Sequence, residues 1–282
     1  MSMGDAGKIT IVPTPIGNRG DMTLRALEAL READVVCAED TRVTGGLLAG
    51  LDISKRLERL DENALDQRAA DVVARAAAGA RIAYCSDAGM PGVSDPGLRL
   101  VLAAREAGVD VEVLPGASAV TTAYVASGTV CPRFYFGGFF PRKSGERERV
   151  LEGLRTLDAA LVFYESPHRL CDALEAIARA YPARQVAVCR ELTKLHEEVV
   201  RDTAVRLCAQ FNERTQVKGE IVLVIDAPAA AEGEPDVAAA QELARALVAS
   251  GASVQEVRRA LQEQAGLSRN AAYAMALETA RD

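Results

Sequence analysis

Four short stretches of this chain combine backbone-permissive residues with groups that can hold a ligand or move a proton. They are "PTPIGN" (13–18), "AEDTR" (38–42), "SDAGMPGVSDPG" (86–97) and "PGASA" (115–119), each following a short apolar run. Glycine and proline let main-chain amides and carbonyls approach a ligand closely. Asp and Glu carboxylates accept hydrogen bonds or protons. Singly, each stretch is ordinary turn chemistry; four of them at corresponding positions describe a binding rim. The third is the most loaded, with three Gly, two Pro and two Asp in twelve residues. A plain connection needs only about two to five residues.

The chemistry is not that of a nucleotide triphosphate or dinucleotide. No GxGxxG follows the first strand-like run and no GxxxxGK[ST] occurs anywhere, so the ligand is expected to carry few or no phosphates. "YESPHRL" (164–170) is a strand end turning into a helix, with Ser166 able to cap and Pro167 suited to the first helical position. His168 or Arg169 facing the cleft and a plain helix start are equally good readings there. "RELTKLHEE" (190–198) offers Lys194, either as the surface partner of Glu191 or as a contact to phosphate or a reacting hydroxyl. His168 and His196 have no neighbouring Cys/His cluster, which disfavours a zinc site, and no metal is expected.

These groups need a scaffold that gathers them. "KITIVP", "DVVCAED", "RIAYCS" and "VEVLP" read as strands. Leu24, Leu27 and Leu30 recur at helical spacing, and further helices are predicted to about residue 49, over 63–78 and over 98–108, the last with Gly108 in the C-cap role. That alternation predicts a mostly parallel sheet with helices on its faces. Ligands lie at the C-terminal strand edge of such sheets, where all four loops fall. A connecting helix over 117–127 leads to more strands, "RFYFGGFF", "ALVFYES", "RQVAVCRE" and "GEIVLVID", with helices near 145–157, 168–181 and 203–211. The expected organisation is an N-terminal α/β domain over 8–116, a second over 117–226, a Pro/Ala/Glu linker over 227–236 and a helical tail over 237–282. The tail has a helix-turn-helix pattern, with Gly266 at the bend and Ser268 as an N-cap. Its balanced charges suit a packing or dimerisation element better than an independent DNA reader.

Composition narrows the partners. The 282 residues are 49% hydrophobic, enough for a sizeable core, but aromatics are 4% and Trp is absent, which disfavours stacking as the main mode of single-strand binding. The net charge of −7 means that an RNA must meet a local basic patch. "PRKSGERER" (141–149), with Arg142, Lys143, Arg147 and Arg149 against Glu146 and Glu148, is the best one. Six Cys form no CxxC pair and read as free thiols of a reducing cytoplasm. No apolar run reaches membrane-spanning length, and "MSMGDAGK" lacks the apolar core of a signal peptide.

Together and in unbroken order over roughly residues 8–226, "IVPTPIGN", "AEDTR", "SDAGMPGVSDPG", "LPGASA", "FYESPHRL" and "RELTK" resemble the ribosomal RNA small-subunit methyltransferase I family, within the tetrapyrrole-methylase superfamily. The tail also resembles that family's extra C-terminal segment. The resemblance implies two α/β domains of tetrapyrrole-methylase type with S-adenosyl-L-methionine in the cleft between them. It implies methyl transfer to the ribose 2′-hydroxyl of a cytidine in the decoding region of 16S rRNA, in the small ribosomal subunit, by a homodimer. Carried over by position, Asp87, Ala88, Gly89, Met90, Pro91, Ser118 and Ala119 contact the cofactor. Pro13, Thr14 and Gly17 join them from a first loop that is glycine-rich in the tetrapyrrole relatives. Tyr164, Leu192, Gly219 and Glu220 are the second domain's contribution. Asp95 is read as capping the helix near Pro96. Arg42, Arg142, Lys143, Arg147, Arg149 and Arg169 are the RNA contacts.

A ribose hydroxyl is a poor nucleophile, so a positioned base helps. Glu39, Asp40, Glu165 and Lys194 are candidates, and the sequence does not choose among them. Two other functions stay open: a methyltransferase acting on a tetrapyrrole carbon, and a non-enzymatic nucleic-acid-binding regulator working through the tail.

Overall fold

The computed structural model describes residues 7–228, 237–265, 267 and 269–280. Most of the expected linker, together with Gly266 and Ser268, lies outside the described residues. Five strands make the first sheet: β1 (Lys8–Ile11), β2 (Val35–Ala38), β3 (Leu57–Arg59), β4 (Arg81–Cys85) and β5 (Asp110–Val113). Their order is β3-β2-β4-β1-β5 and every pairing is parallel. A parallel sheet needs cover on both faces, and the pleat supplies two apolar sets. Ile9, Ile11, Cys37, Ile82 and Tyr84 point to one side, against α3 (Glu62–Ala77) and α4 (Gly97–Glu106). Val36, Ala83 and Cys85 point to the other, against Leu30 of α1 (Leu24–Glu32) and Leu48 of α2 (Thr41–Ala49). Thr23, Asp40 and Asp61 cap α1, α2 and α3 by accepting a first-turn amide.

The second sheet is mixed. It holds β6 (Phe134–Phe139), β7 (Ala160–Glu165), β8 (Gln185–Arg190), β9 (Glu198–Thr203) and β10 (Ile221–Ile225), in the order β6-β7-β10-β8-β9. Only β6 and β7 are parallel. One face carries Leu161, Phe163, Val188 and Leu223 against α6 (Ser144–Gly153), α7 (Leu170–Ala180) and α8 (Ala204–Asn212). The other carries Val162, Cys189, Val222 and Val224 against α5 (Ala119–Ala126), and Ile16 from the first lobe joins that cluster. The tail forms three helices, α9 (Val237–Ala249), α10 (Val254–Gln264) and α11 (Arg269–Thr279). Its core, including Ala244, Val257, Leu261 and Ala272, is drawn from the tail alone.

β3 and β9 were not expected from the sequence. β3 is three residues long and centred on Glu58, whose buried carboxylate is ringed by Arg56, Arg68 and Arg75. β9 is an edge strand rich in paired charge: Glu198 meets Arg190 and Arg214, and Arg201 meets Asp226. Neither presents an apolar run.

Candidate functional site

The four glycine- and proline-rich loops converge at the C-terminal edge of the first sheet. Thr14 and Gly89 exchange backbone hydrogen bonds, each at 3.0 Å, and the Thr14 hydroxyl donates to the Ser86 carbonyl at 3.3 Å. Gly89 stands at φ +79°, a backbone that a residue with a Cβ adopts only under strain. The Asp40 amide donates to Asp87 Oδ1 at 2.9 Å, tying the second loop to the third. Asp95 Oδ1 accepts from the amides of Gly92 and Gly97, both at 2.8 Å. It thus closes the long loop and satisfies the first amide of α4 without being its N-cap, which is Pro96.

The facing wall comes from the second lobe. After β8 the chain bends through Glu191 (φ +53°) and Thr193 (φ +66°), both left-handed. Glu191 Oε1 accepts from Lys194 Nζ at 2.7 Å and from the Glu220 amide at 3.0 Å. Gly219 leaves room for that carboxylate, which a Cβ would strike. Gly17 packs so closely on Lys194, Thr193 and the Leu192 carbonyl that no side chain fits there, and the lobes meet at this end.

Between them lies a cavity of about 380 Å³, within the range of small-molecule sites. Asp87, Ala88, Gly89, Met90, Ser118, Ala119, Tyr164, Leu192, Gly219 and Glu220 line it, as do Glu39 and Glu165. Pro13, Thr14, Gly17 and Pro91 are not among the residues that line it. Thr14 and Pro13 buttress the rim from below, Gly17 seats one lobe on the other, and Pro91 is buried in the loop. Sequence reasoning missed Ile16, Ser86, Val93, Phe139 and Val222 in the lining. Ile16, Ser86 and Val93 lie inside the stretches 13–18 and 86–97 already singled out but were not named individually; Phe139 and Val222 gave no signal beyond their strands.

Electrostatics separate the candidate bases. Arg42 grips Asp40 with Nη2 at 2.6 Å and Nε at 3.1 Å, and holds that carboxyl well below the ordinary range. Burial works against the charge on Lys194, but hydrogen bonds to Glu191 and Glu220 outweigh it and raise its proton affinity. A clamped carboxylate and a firmly protonated ammonium are both poor proton acceptors, so neither Asp40 nor Lys194 keeps that role. Glu165 follows Leu161 and Phe163 in the alternation of β7, toward the helix-covered face. Its side chain is fully buried, accepts from the Ser166 amide at 2.6 Å and pairs with Arg169. Burial raises its pKa against the pull of Ser166, Arg169 and Arg147. Ser166 does not cap; its hydroxyl accepts from Arg169 Nε at 3.2 Å. Glu39 is different: it is half-buried in the cleft wall, and burial followed by the Asp87 charge raises its pKa.

The basic residues also sort. Arg42, Arg142, Lys143 and Arg149 are exposed. Arg147 is 4% exposed, donates to the Pro141 carbonyl at 2.7 Å and lies over the Phe140 ring, so it is a core strut and not a phosphate contact. Arg169 is held by Glu165 and Ser166. His168 and His196 are exposed.

Among the described residues the charged groups lining the cavity are Glu39, Asp87, Asp95, Glu165 and Glu220; Glu165 is paired with Arg169 and Glu220 with Lys194, so the remaining negative charge comes from Glu39, Asp87 and Asp95. Ser86 Oγ is buried in that lining and has no hydrogen-bond partner among the described residues. Val93, Leu192 and Val222 make an apolar wall. The arrangement suits a compact ligand with an apolar body, hydrogen-bonding ends and positive charge.

Comparison with known proteins agrees. Residues 8–208 match the family model described as Tetrapyrrole (Corrin/Porphyrin) Methylases. The chain is 40% identical to the ribosomal RNA small subunit methyltransferase I of Micromonospora olivasterospora, over 95% of this chain and 86% of that one. It is 39% identical to the protein of that name from Synechocystis sp., over 98% and 99%. The crystal structure of uroporphyrin-III-C-methyltransferase from Thermus thermophilus aligns with a TM-score of 0.54 at 23% identity, over 77% of this chain and 94% of that one.

Proposed function

This chain belongs to the ribosomal RNA small subunit methyltransferase I family of tetrapyrrole methylases, and from that premise we propose that it uses S-adenosylmethionine to methylate the ribose 2′-hydroxyl of a cytidine in the decoding region of 16S rRNA. The observation that carries the cofactor reading is the acidic lining, which favours a sulfonium and repels phosphates. When bound, the cofactor supplies an electrophilic methyl group. The residues that would hold it are Asp87 to Met90, with Ser118 and Ala119, and the unpartnered Ser86 hydroxyl is free to hydrogen-bond to it.

The chain's own work is then alignment and proton handling. Glu39 accepts the hydroxyl proton: it stands in the cleft wall, and burial and the Asp87 charge raise its proton affinity above that of an ordinary carboxylate. Exposed Arg42, Arg142, Lys143 and Arg149 take RNA phosphates. The enzyme acts as a cytoplasmic homodimer on the small ribosomal subunit, with the cofactor between the domains 8–116 and 117–226.

The test offers methyl-labelled S-adenosylmethionine together with small ribosomal subunits, free 16S rRNA or a precorrin-type tetrapyrrole. Nuclease digestion and mass spectrometry should then yield 2′-O-methylcytidine. Label on a nucleobase, or on the tetrapyrrole alone, overturns the reading.

A further inference from the structure

We propose that Phe139 is the platform on which the target nucleobase stacks, and that a β-bulge in β6 exists to present it. The proposal rests on the RNA reading above. In the parallel pairing of β6 with β7, Phe134 stands opposite Ala160 and Phe136 opposite Val162, and Phe136, Ala160 and Val162 belong to the cluster on the α5 side. Unbroken alternation would set Phe139 opposite Glu165 and turn it toward α6 and α7. Instead the register shifts between Phe136 and Phe139, and Phe139 stands opposite Tyr164. Gly138 makes the shift at φ +70°, and at Gly137 a Cβ would collide with the Phe163 ring. Bulges recur beside active sites because they re-aim a side chain.

The result is a phenyl ring that lines the cleft yet is 63% exposed. The Tyr164 ring braces it edge-on, with centroids 5.3 Å apart. A lone exposed apolar residue needs no explanation; one turned into a cleft by two consecutive glycines does. The occupant is argued from charge. The exposed Arg142 and Lys143 follow three and four residues later in the chain, so phosphate-binding groups stand close in sequence to the ring. Single-stranded RNA is recognised by that combination, splayed bases on aromatic faces with basic groups on the backbone. Low aromatic content argues against a long stacking groove, not against one ring holding one base.

The test compares full-length wild type with Phe139→Ala, Phe139→Leu and Phe139→Tyr, using small ribosomal subunits and labelled S-adenosylmethionine. Phe139→Ala should lower kcat/KM for the RNA about 10- to 100-fold, the range of one lost base stack. Its S-adenosylmethionine affinity by calorimetry should not change. Tyr, which keeps an aromatic face, should restore most of the activity; Leu, with apolar bulk alone, should not. Leu as active as Phe overturns the proposal, as does an Ala variant that loses only cofactor affinity or self-association in sedimentation. A wild type that methylates no RNA overturns the parent reading and this one together; an active wild type with an equally active Leu variant overturns this one alone.

Discussion

Asp87 does two things with one carboxylate: it accepts the Asp40 amide and contributes negative charge to the cleft. The two can be separated. Asp87→Asn keeps an acceptor and removes the charge; Asp87→Ala removes both. We expect both to weaken S-adenosylmethionine binding in calorimetry, Ala more, by about tenfold or somewhat beyond for a lost charge-assisted hydrogen bond. In the proposed mechanism Glu39 accepts the proton. A base works only when deprotonated, so kcat should rise with pH through the raised pKa of Glu39 and then level. Glu39→Gln should lower kcat about 10²- to 10⁴-fold and erase that limb of the profile. At this scale the sequence brought the right stretches together and left their chemistry unsorted. Whether a carboxylate is clamped, as Asp40 is, or buried against an arginine, as Glu165 is, depends on partners and register that residue type does not reveal.

Elements were legible wherever an apolar period marked them. Ile9 and Ile11, and Leu161 and Phe163, alternate as core strands must. β9 was hidden because its interactions are ionic. Glu198 receives Arg214 Nη1 and Nη2 at 2.8 and 2.7 Å and Arg190 Nε at 3.0 Å. Hydrogen bonds from Arg214 first, outweighing the opposing effect of burial, bring its pKa down to about 2. A depressed carboxylate stabilises the fold above its unfolded pKa, near 4.5, and that contribution is lost as pH falls toward 2. Glu198→Gln should therefore lower stability at pH 7 by roughly 1–3 kcal/mol. The difference from wild type in urea melts should shrink steadily as the buffer is taken from pH 4.5 to pH 2. The β6 bulge was hidden for another reason: "FGGF" reads as a flexible strand, and only pairing with β7 shows that the glycines change which way Phe139 faces.

Across the whole molecule, the placing of the four loops on one sheet edge could be anticipated, because a parallel sheet puts every βα loop on the same side; their order along it could not. The facing wall was anticipated only through the resemblance, which gave Tyr164, Leu192, Gly219 and Glu220; the contact of Gly17 with Lys194, residues far apart in the chain, was not. The tail stands apart, with a core made of its own residues. The acidic cavity has a consequence for turnover. Methyl transfer converts a charged sulfonium into a neutral thioether, so the carboxylates that draw the donor in lose much of their hold on what is left behind. Adding salt should therefore weaken S-adenosylmethionine binding more steeply than S-adenosylhomocysteine binding, and parallel calorimetric titrations over a salt series would read that gap. A lining of this charge is expected to favour the exchange of used donor for fresh.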